Sequence, residues 1–338
     1  MANSLPDARL LLETLDEPAV LIRTGRILFA NQAAETVLGS RIQNQDIRLA
    51  IRHPQALDAI RSGQNAKVEV AGIGALDRPW ELNVHHVADG CILVRLVDRS
   101  AARAAERMRV DFVANASHEL RTPLASISGY AETLADETEI DHDMRRRFGG
   151  LIHNESRRML RIVEDLLSLS RIEADRFIAP QEMVSATEIV SLAAENVRVA
   201  AEERGCTLSI EIDDEPVPLL GDFGQLIQMM DNLVGNALRY GCGAHSPVIR
   251  MGAKSGRDGV TLFVADNGEG IPKEHLPRIT ERFYRVDAAR SRDSGGTGLG
   301  LAIVKHIVER HRGTLDIRSQ EGQGTEVRVR LPSTRPAP

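Results

Sequence analysis

The spacing of apolar residues changes twice along the chain, and each change marks a different kind of structure. Between Glu17 and Asp98 the apolar runs are short and divided by turn residues. Ala19 to Ile22, a turn at Thr24 and Gly25, and Ile27 to Ala30 carry the pattern of a β-hairpin. Gln32 to Leu38 reads as a helix stopped by Gly39, and Pro54 opens a second short helix ending near Gly63. Strand-like runs around Lys67 to Val70, Trp80 to Val87 and Ile92 to Val97 complete a small α/β unit.

From Ser100 the period lengthens. Val113, Ala116, Leu120, Leu124, Ile127, Ala131 and Leu134 recur at three- and four-residue steps, a narrow apolar seam along one helix. After a polar break from Asp136 to Asp143, a second helix is defined by Phe148, Ile152, Met159, Ile162, Leu166 and Leu169, and the pair predicts an antiparallel hairpin. Two helices bury little alone, so a symmetric dimer closing into a four-helix bundle is predicted. A hinge is predicted over Arg171 to Pro180, and beyond it the pattern returns to mixed α/β. Helix Ala186 to Arg204, strand Thr207 to Ile212, helix Phe223 to Tyr240 and strands Val248 to Ala253 and Val260 to Ala265 precede a glycine-bearing loop from Lys273 to Gly298. Helix Leu299 to Arg312 and strands Thr314 to Ser319 and Thr325 to Leu331 follow. The expectation is a multidomain α+β protein with units at 1–99, 100–174 and 181–333.

Composition narrows the function. Only 3% of residues are aromatic and the formal charge is -6, which disfavours base stacking and attraction to phosphate backbones, so no nucleic acid is expected as a partner. Arg145 to Arg147 read as a solvated helix face. Cys91, Cys206 and Cys242 are odd in number, widely spaced and form no CxxC pair, which suggests neither a disulfide framework nor a zinc site and fits a reducing compartment best. No apolar run approaches the roughly 20 residues of a spanning helix, and no signal peptide is seen. The expected placement is cytoplasmic, as such or as the soluble part of a longer membrane-anchored protein.

The first long helix carries His118 away from its seam, where an exposed imidazole can act as a nucleophile. Glu119, directly after it, can accept the Nδ1 proton and hold the tautomer whose Nε2 lone pair is free. Pro123 removes the N–H that would bond the carbonyl of Glu119, which predicts a bend just past the nucleophile. Farther on, Asn232 and Asn236 stand four apart on one helix face beside Arg239, and their amide oxygens suit Mg²⁺. Asp266 ends an apolar strand ahead of Gly268 and Gly270. It can accept a hydrogen bond from the adenine amino group, or it can belong to a plain Asp-Asn-Gly turn. GGTGLGLAIVK, Gly295 to Lys305, runs from loop into helix as an anion-binding concavity without being a Walker A loop. Thr325 follows Gly322 and Gly324 at the start of a strand.

Taken together, FVANASHELRTPLASISGY, Phe112 to Tyr130, resembles the phosphoacceptor box of sensor histidine kinases. The segments around Asn232, Asp266, ERFYRVD (Glu281 to Asp287), Gly295 to Lys305 and Thr325 resemble the N, G1, F, G2 and G3 boxes of their ATP-binding domain. FVANASHELRTPL and ERFYRVDAARSR are most similar to the phosphate-regulon sensor kinases, and GRILFANQAAETVLG resembles the PAS domain those kinases carry before the phosphoacceptor helices. The resemblance implies a PAS-like sensor, a dimeric helical hairpin, and a Bergerat-type α/β sandwich shared with Hsp90, MutL and DNA gyrase B. It also implies ATP with Mg²⁺, autophosphorylation of His118, and transfer to an aspartate of a response regulator receiver domain. Glu119 is implied as general base, and Thr122 as the residue that positions water in the phosphatase reaction. Asn236 is implied as the principal Mg²⁺ ligand supported by Asn232, and Asp266 as the adenine reader. The nucleotide site is implied to include Arg239, Tyr240, Gly268, Gly270 and Ile271. It further includes Phe283, Tyr284 and Arg285 of the lid, Gly296, Thr297, Gly298, Leu299, Gly300 and Leu301 of the glycine run, and Thr325. Arg285, Arg290 and Arg292 are the lid cations among which the resemblance implies a phosphate contact, with none of the three singled out. Arg239 departs from the family, which often has Lys there. His53, His85 and His86 read as surface or structural residues, and no PAS ligand is assigned. An ATPase-driven clamp, a pseudokinase scaffold and a phosphatase-dominant protein stand as the alternatives.

Overall fold

The computed structural model describes residues 4–62, 64–73, 78–135, 141–212, 217–243, 246–256, 259–287 and 296–332. The expectations for 136–140, Arg290, Arg292 and Gly295 lie outside these residues. The chain divides into two units, Met1–Val113 and Ala114–Pro338.

In the first unit, strands β1 (Ala19–Arg23) and β2 (Arg26–Ala30) form the predicted antiparallel hairpin, Val20 opposite Ala30. Helices α2 (Gln32–Leu38) and α4 (Pro54–Arg61) and strands β3 (Ala66–Ala71), β4 (Pro79–His86) and β5 (Cys91–Asp98) also fall where the pattern puts them. The sheet order is β2-β1-β5-β4-β3. Successive residues of a strand point to opposite faces. Val20 and Ile22 therefore join a core with Ala34, Ile47, Ala56 and Ile60, while Ala19 and Leu21 pack with Leu12 on the other face. Two short helices were not foreseen, α1 (Ser4–Glu13) and α3 (Ile47–Ala50). Buried Asn31 ties α1 to the sheet. Its Oδ1 accepts from the amides of Ala19 and Ala34 at 2.9 Å each, and its Nδ2 donates to the carbonyls of Leu12, Leu15 and Glu17. An amide with all its bonding capacity met inside the fold stabilises it, whereas an apolar replacement would orphan these groups.

In the second unit, α5 (Ser100–Ala135, from Ala114 onward) and α6 (His142–Ala174) run antiparallel. Glu119 meets Arg158, and Tyr130 stacks on Phe148 with ring centroids 5.5 Å apart. Asp141 caps α6, its carboxylate accepting from the amide of Met144 at 2.7 Å. The predicted hinge is shortened: α6 continues to Ala174, because the amide of Asp175 still bonds the carbonyl of Arg171.

The rest of this unit is an α/β sandwich. Helices α7 (Ala186–Glu203) and α8 (Phe223–Tyr240), with α9 (Gly300–Arg310), bury apolar stripes such as Ile189, Val190 and Val197, or Met229, Leu233 and Val234. The sheet is built of β7 (Thr207–Ile212), β9 (Val248–Gly256), β10 (Gly259–Asp266), β11 (Thr314–Gln320) and β12 (Gly324–Leu331), in order β11-β12-β10-β9-β7. Only the β7 and β9 pair is parallel among the described strands. A two-stranded sheet of β6 (Met183–Ser185) and β8 (Pro218–Leu220) was not foreseen, since three-residue strands carry no readable alternation. The expectation for the cysteines needs correction. Cys206 and Cys242 form a disulfide, with Cα atoms 5.6 Å apart, and only Cys91 is a free, buried thiol. The fold brings the C-terminal ends of α7 and α8 together, as the bond from Arg204 to the carbonyl of Leu238 also records at 2.7 Å. Spacing along the chain does not reveal such a meeting.

Candidate functional site

His118 and Thr122 lie exposed on α5, one helical turn apart, with the Thr122 hydroxyl donating to the carbonyl of His118 at 3.3 Å. Pro123 sits inside the same helix. Glu119 is half-buried, and its Oε2 is 3.0 Å from Nη2 of buried Arg158 and 3.8 Å from Nη2 of Arg285. Arg285 is the arginine of the ERFYRVD segment and also lines the cavity described next.

That cavity, of about 480 Å³, collects most of the residues singled out in the sequence. From α8 come Asn232, Asn236, Arg239 and Tyr240. The helix turns them together because positions 232, 236, 239 and 240 fall on one face. The Arg239 guanidinium donates to Oδ1 of Asn236 at 3.1 Å. From the end of β10 and its turn come Asp266, Gly270 and Ile271. Opposite Asp266 in the sheet lies Thr325 of β12, which also lines the cavity. Tyr284, Arg285, Gly296, Thr297 and Gly298 belong to the wall, as do Gly300 and Leu301 at the start of α9.

Three expected residues support the wall instead. The Gly268 amide donates to Oδ1 of Asp266 at 2.9 Å, and a Cβ at Gly268 would lie 2.4 Å from the carbonyl of Tyr240. Phe283, with φ 62, donates its amide to the carbonyl of Gly298 at 2.8 Å. Leu299 is fully buried at the N-cap of α9. Tyr284 is fixed by its hydroxyl, 2.7 Å from Nδ1 of His275, and by Arg278 stacked over its ring.

Burial pushes the Asp266 carboxyl above the ordinary carboxylate range, against the pull of the Gly268 and Thr325 amides. Asp231 is likewise raised by burial. Sequence reasoning missed a further part of the wall, Arg161, Glu164 and Asp165 of α6. On the sequence these are ordinary polar positions of a helix face, and nothing in their spacing distinguishes a wall from a solvated surface. Among the described residues no group of three or more His, Cys, Asp or Glu could hold a metal ion. The amide oxygens of Asn232 and Asn236 are the hard oxygen donors that suit Mg²⁺ together with phosphate.

Residues 221–335 match the family model described as histidine kinase-, DNA gyrase B-, and HSP90-like ATPase. Residues 108–175 match the His Kinase A (phospho-acceptor) domain, and residues 9–70 a PAS domain. The phosphate regulon sensor protein PhoR of Pseudomonas aeruginosa is 35% identical over 92% of this chain and 70% of its own length. The sensor protein kinase WalK of Staphylococcus haemolyticus is 38% identical over 70% of this chain, but only 39% of its length is covered. In fold, the chain resembles the histidine kinase ThkA, solved in complex with the response regulator protein TrrA. The TM-score is 0.52 and the identity 18%, over 96% of this chain and 98% of that one. With a nucleotide-domain wall, a phosphoacceptor hairpin and a relative matched along most of its length, the chain belongs to the ATP-dependent sensor histidine kinases of two-component systems.

Proposed function

We propose that His118 is the residue this kinase phosphorylates, and that the phosphoryl group then passes to an aspartate of a response regulator receiver domain. Nε2 of His118 attacks the γ-phosphorus of ATP in line. The new N–P bond forms as the bond to the β-phosphate oxygen breaks, ADP leaves, and Glu119 takes the imidazole proton. Catalysis is then largely positioning and charge compensation. Asn236, supported by Asn232, would hold Mg²⁺, which when bound neutralises phosphate charge. Asp266 accepts from the adenine amino group, and the glycine run from Gly296 to Gly300 presents its amides to phosphate. Thr122 orients water when the phosphorylated partner is hydrolysed.

The observation that carries the reading is Arg285. One guanidinium lines the nucleotide cavity and stands 3.8 Å from the carboxylate next to His118. It therefore supports a geometry in which donor and acceptor face each other. In our reading 1–99 is the sensor, 100–174 the dimerisation and phosphotransfer helices, and 181–333 the ATP-binding domain. The bundle is a homodimer. Among the described residues, no helix is long and apolar enough to cross a membrane. Incubation with γ-labelled ATP and Mg²⁺ is expected to give acid-labile, alkali-stable phosphate on the wild-type protein and none on His118→Gln. Label retained by that variant would assign the acceptor elsewhere.

A further inference from the structure

Helix α6 puts into the nucleotide cavity a carboxylate that the reaction above does not use. Asp165 lies in the wall beside Arg161 and Glu164. Its Oδ2 accepts a hydrogen bond of 2.7 Å from the hydroxyl of Thr297, whose Oγ1 in turn accepts from the amide of Leu299 at 3.2 Å. Thr297 stands within the glycine run just ahead of α9. The guanidinium groups of Arg161 and Arg239 both act favourably on the Asp165 charge. A hydroxyl donor on an amide-rich loop with two arginines nearby is the environment a phosphate oxygen requires.

We propose that Asp165 is a built-in occupant of the phosphate end of the cavity: its carboxylate holds the Thr297 loop against α6, and a nucleotide triphosphate must displace it to bind. The inference rests on the ATP reading of the cavity and deepens it. Two anions cannot share one set of donors without mutual repulsion, so phosphate and Asp165 compete for Thr297 and the arginines. Adenosine, which lacks phosphate, does not compete. Burial already works against the charge on Asp165, which eases its removal from the site. Elsewhere α6 is held on the nucleotide domain by Ser168 donating to Gln228 at 2.7 Å and by Glu173 paired with Arg282 and His306. Displacing Asp165 thus releases one point of a wider contact, and nucleotide binding is coupled to how α6 packs.

Calorimetric titration of the full chain with AMP-PNP and, separately, adenosine tests this. Asp165→Asn keeps an acceptor oxygen for Thr297 and removes the charge. It is expected to bind AMP-PNP about tenfold more tightly, with adenosine affinity unchanged. Glu202→Gln removes an exposed charge of α7 outside the cavity, and is expected to change AMP-PNP affinity less than about twofold. Unchanged or weaker AMP-PNP binding by Asp165→Asn, or an equal gain from Glu202→Gln, overturns the proposal. Should Asp165→Asn not fold, hydrogen exchange on the wild type decides. Amides around Asp165 on α6 are expected to lose protection with AMP-PNP and not with adenosine, and the same response to both overturns it. A wild-type protein that binds neither compound would instead remove the nucleotide reading of the cavity, and the proposal with it.

Discussion

At the scale of single residues, the glycine run is where one added methyl group tells most. A Cβ on Gly300 would lie 2.9 Å from Oδ1 of Asn232, inside any real contact distance. Asn232 would have to turn away from the cavity, while the α9 helix itself, gaining a better helix former, would stand. Gly300→Ala is therefore expected to lower nucleotide affinity about tenfold while leaving thermal unfolding nearly unchanged, as calorimetry and a melting curve can separate. Gly298 is stricter. It has φ +73, and a Cβ there would meet the backbone of Phe283 at 2.8 Å. Phe283 itself holds a left-handed conformation that a bulky side chain rarely adopts, and the short bond to Gly298 keeps it there. The placement of Asn232 and Asn236 on one helix face and of Asp266 at a strand end was legible in the sequence, because such placements follow local rules. The strain at Phe283 was not, since it comes from a contact between two separated stretches of loop.

Among elements, α8 and α9 are pinned by one buried histidine at the ends remote from the cavity. Nδ1 of His311, at the end of α9, donates to the carbonyl of Ile307 at 2.8 Å, and its Nε2 accepts from the amide of Asp222, the N-cap of α8, at 3.0 Å. Arg310 pairs with Asp222 at 3.2 Å, and Asp222 caps the amide of Gln225. This pattern requires a neutral ring. Burial holds His311 below its ordinary value of 6.5, with Arg310 adding to the depression and the Ile307 carbonyl and Asp222 opposing it. The unfolded chain takes up the proton at the ordinary value, so the stability due to this site is whole above it and declines as pH falls through it towards the folded pKa. Between about pH 8 and about pH 5 the melting temperature should fall in the wild type, and less so in His311→Gln. That variant should also lose about 1–3 kcal/mol at the higher pH, where the ring's two bonds are intact.

For the molecule as a whole, the unpaired seam is the feature with most consequence. Leu124, Leu160 and Leu167 are 53%, 59% and 54% exposed in a single chain, although Ile162 and Leu169 of the same α6 are fully buried. A second copy covering that stripe accounts for the exposed leucines, whereas Ile162 and Leu169 are already covered within the chain. Leu160→Glu is expected to convert a dimer to monomer in sedimentation at micromolar concentration, with the nucleotide domain still folded and binding. The long periodic helices and the alternation of helix and strand after Arg171 were readable because each is long enough for its period to repeat. Helices α1 and α3 and the β6 and β8 pair are too short for that. The α6 wall of the cavity was hidden for another reason: Arg161, Glu164 and Asp165 look like solvent-facing residues until a distant domain packs on them. So too with Cys206 and Cys242, which only the side-by-side ends of α7 and α8 bring together. In topological terms, their bond closes a covalent ring over a separation of 36 residues that contains β7, β8 and all of α8. Asn232, Asn236, Arg239 and Tyr240 therefore ride on a segment without a free end. Fraying from either terminus halts at the ring, and a single proteolytic cut within it leaves both pieces attached. On loop-closure grounds the ring favours the folded domain by about 4 kcal/mol.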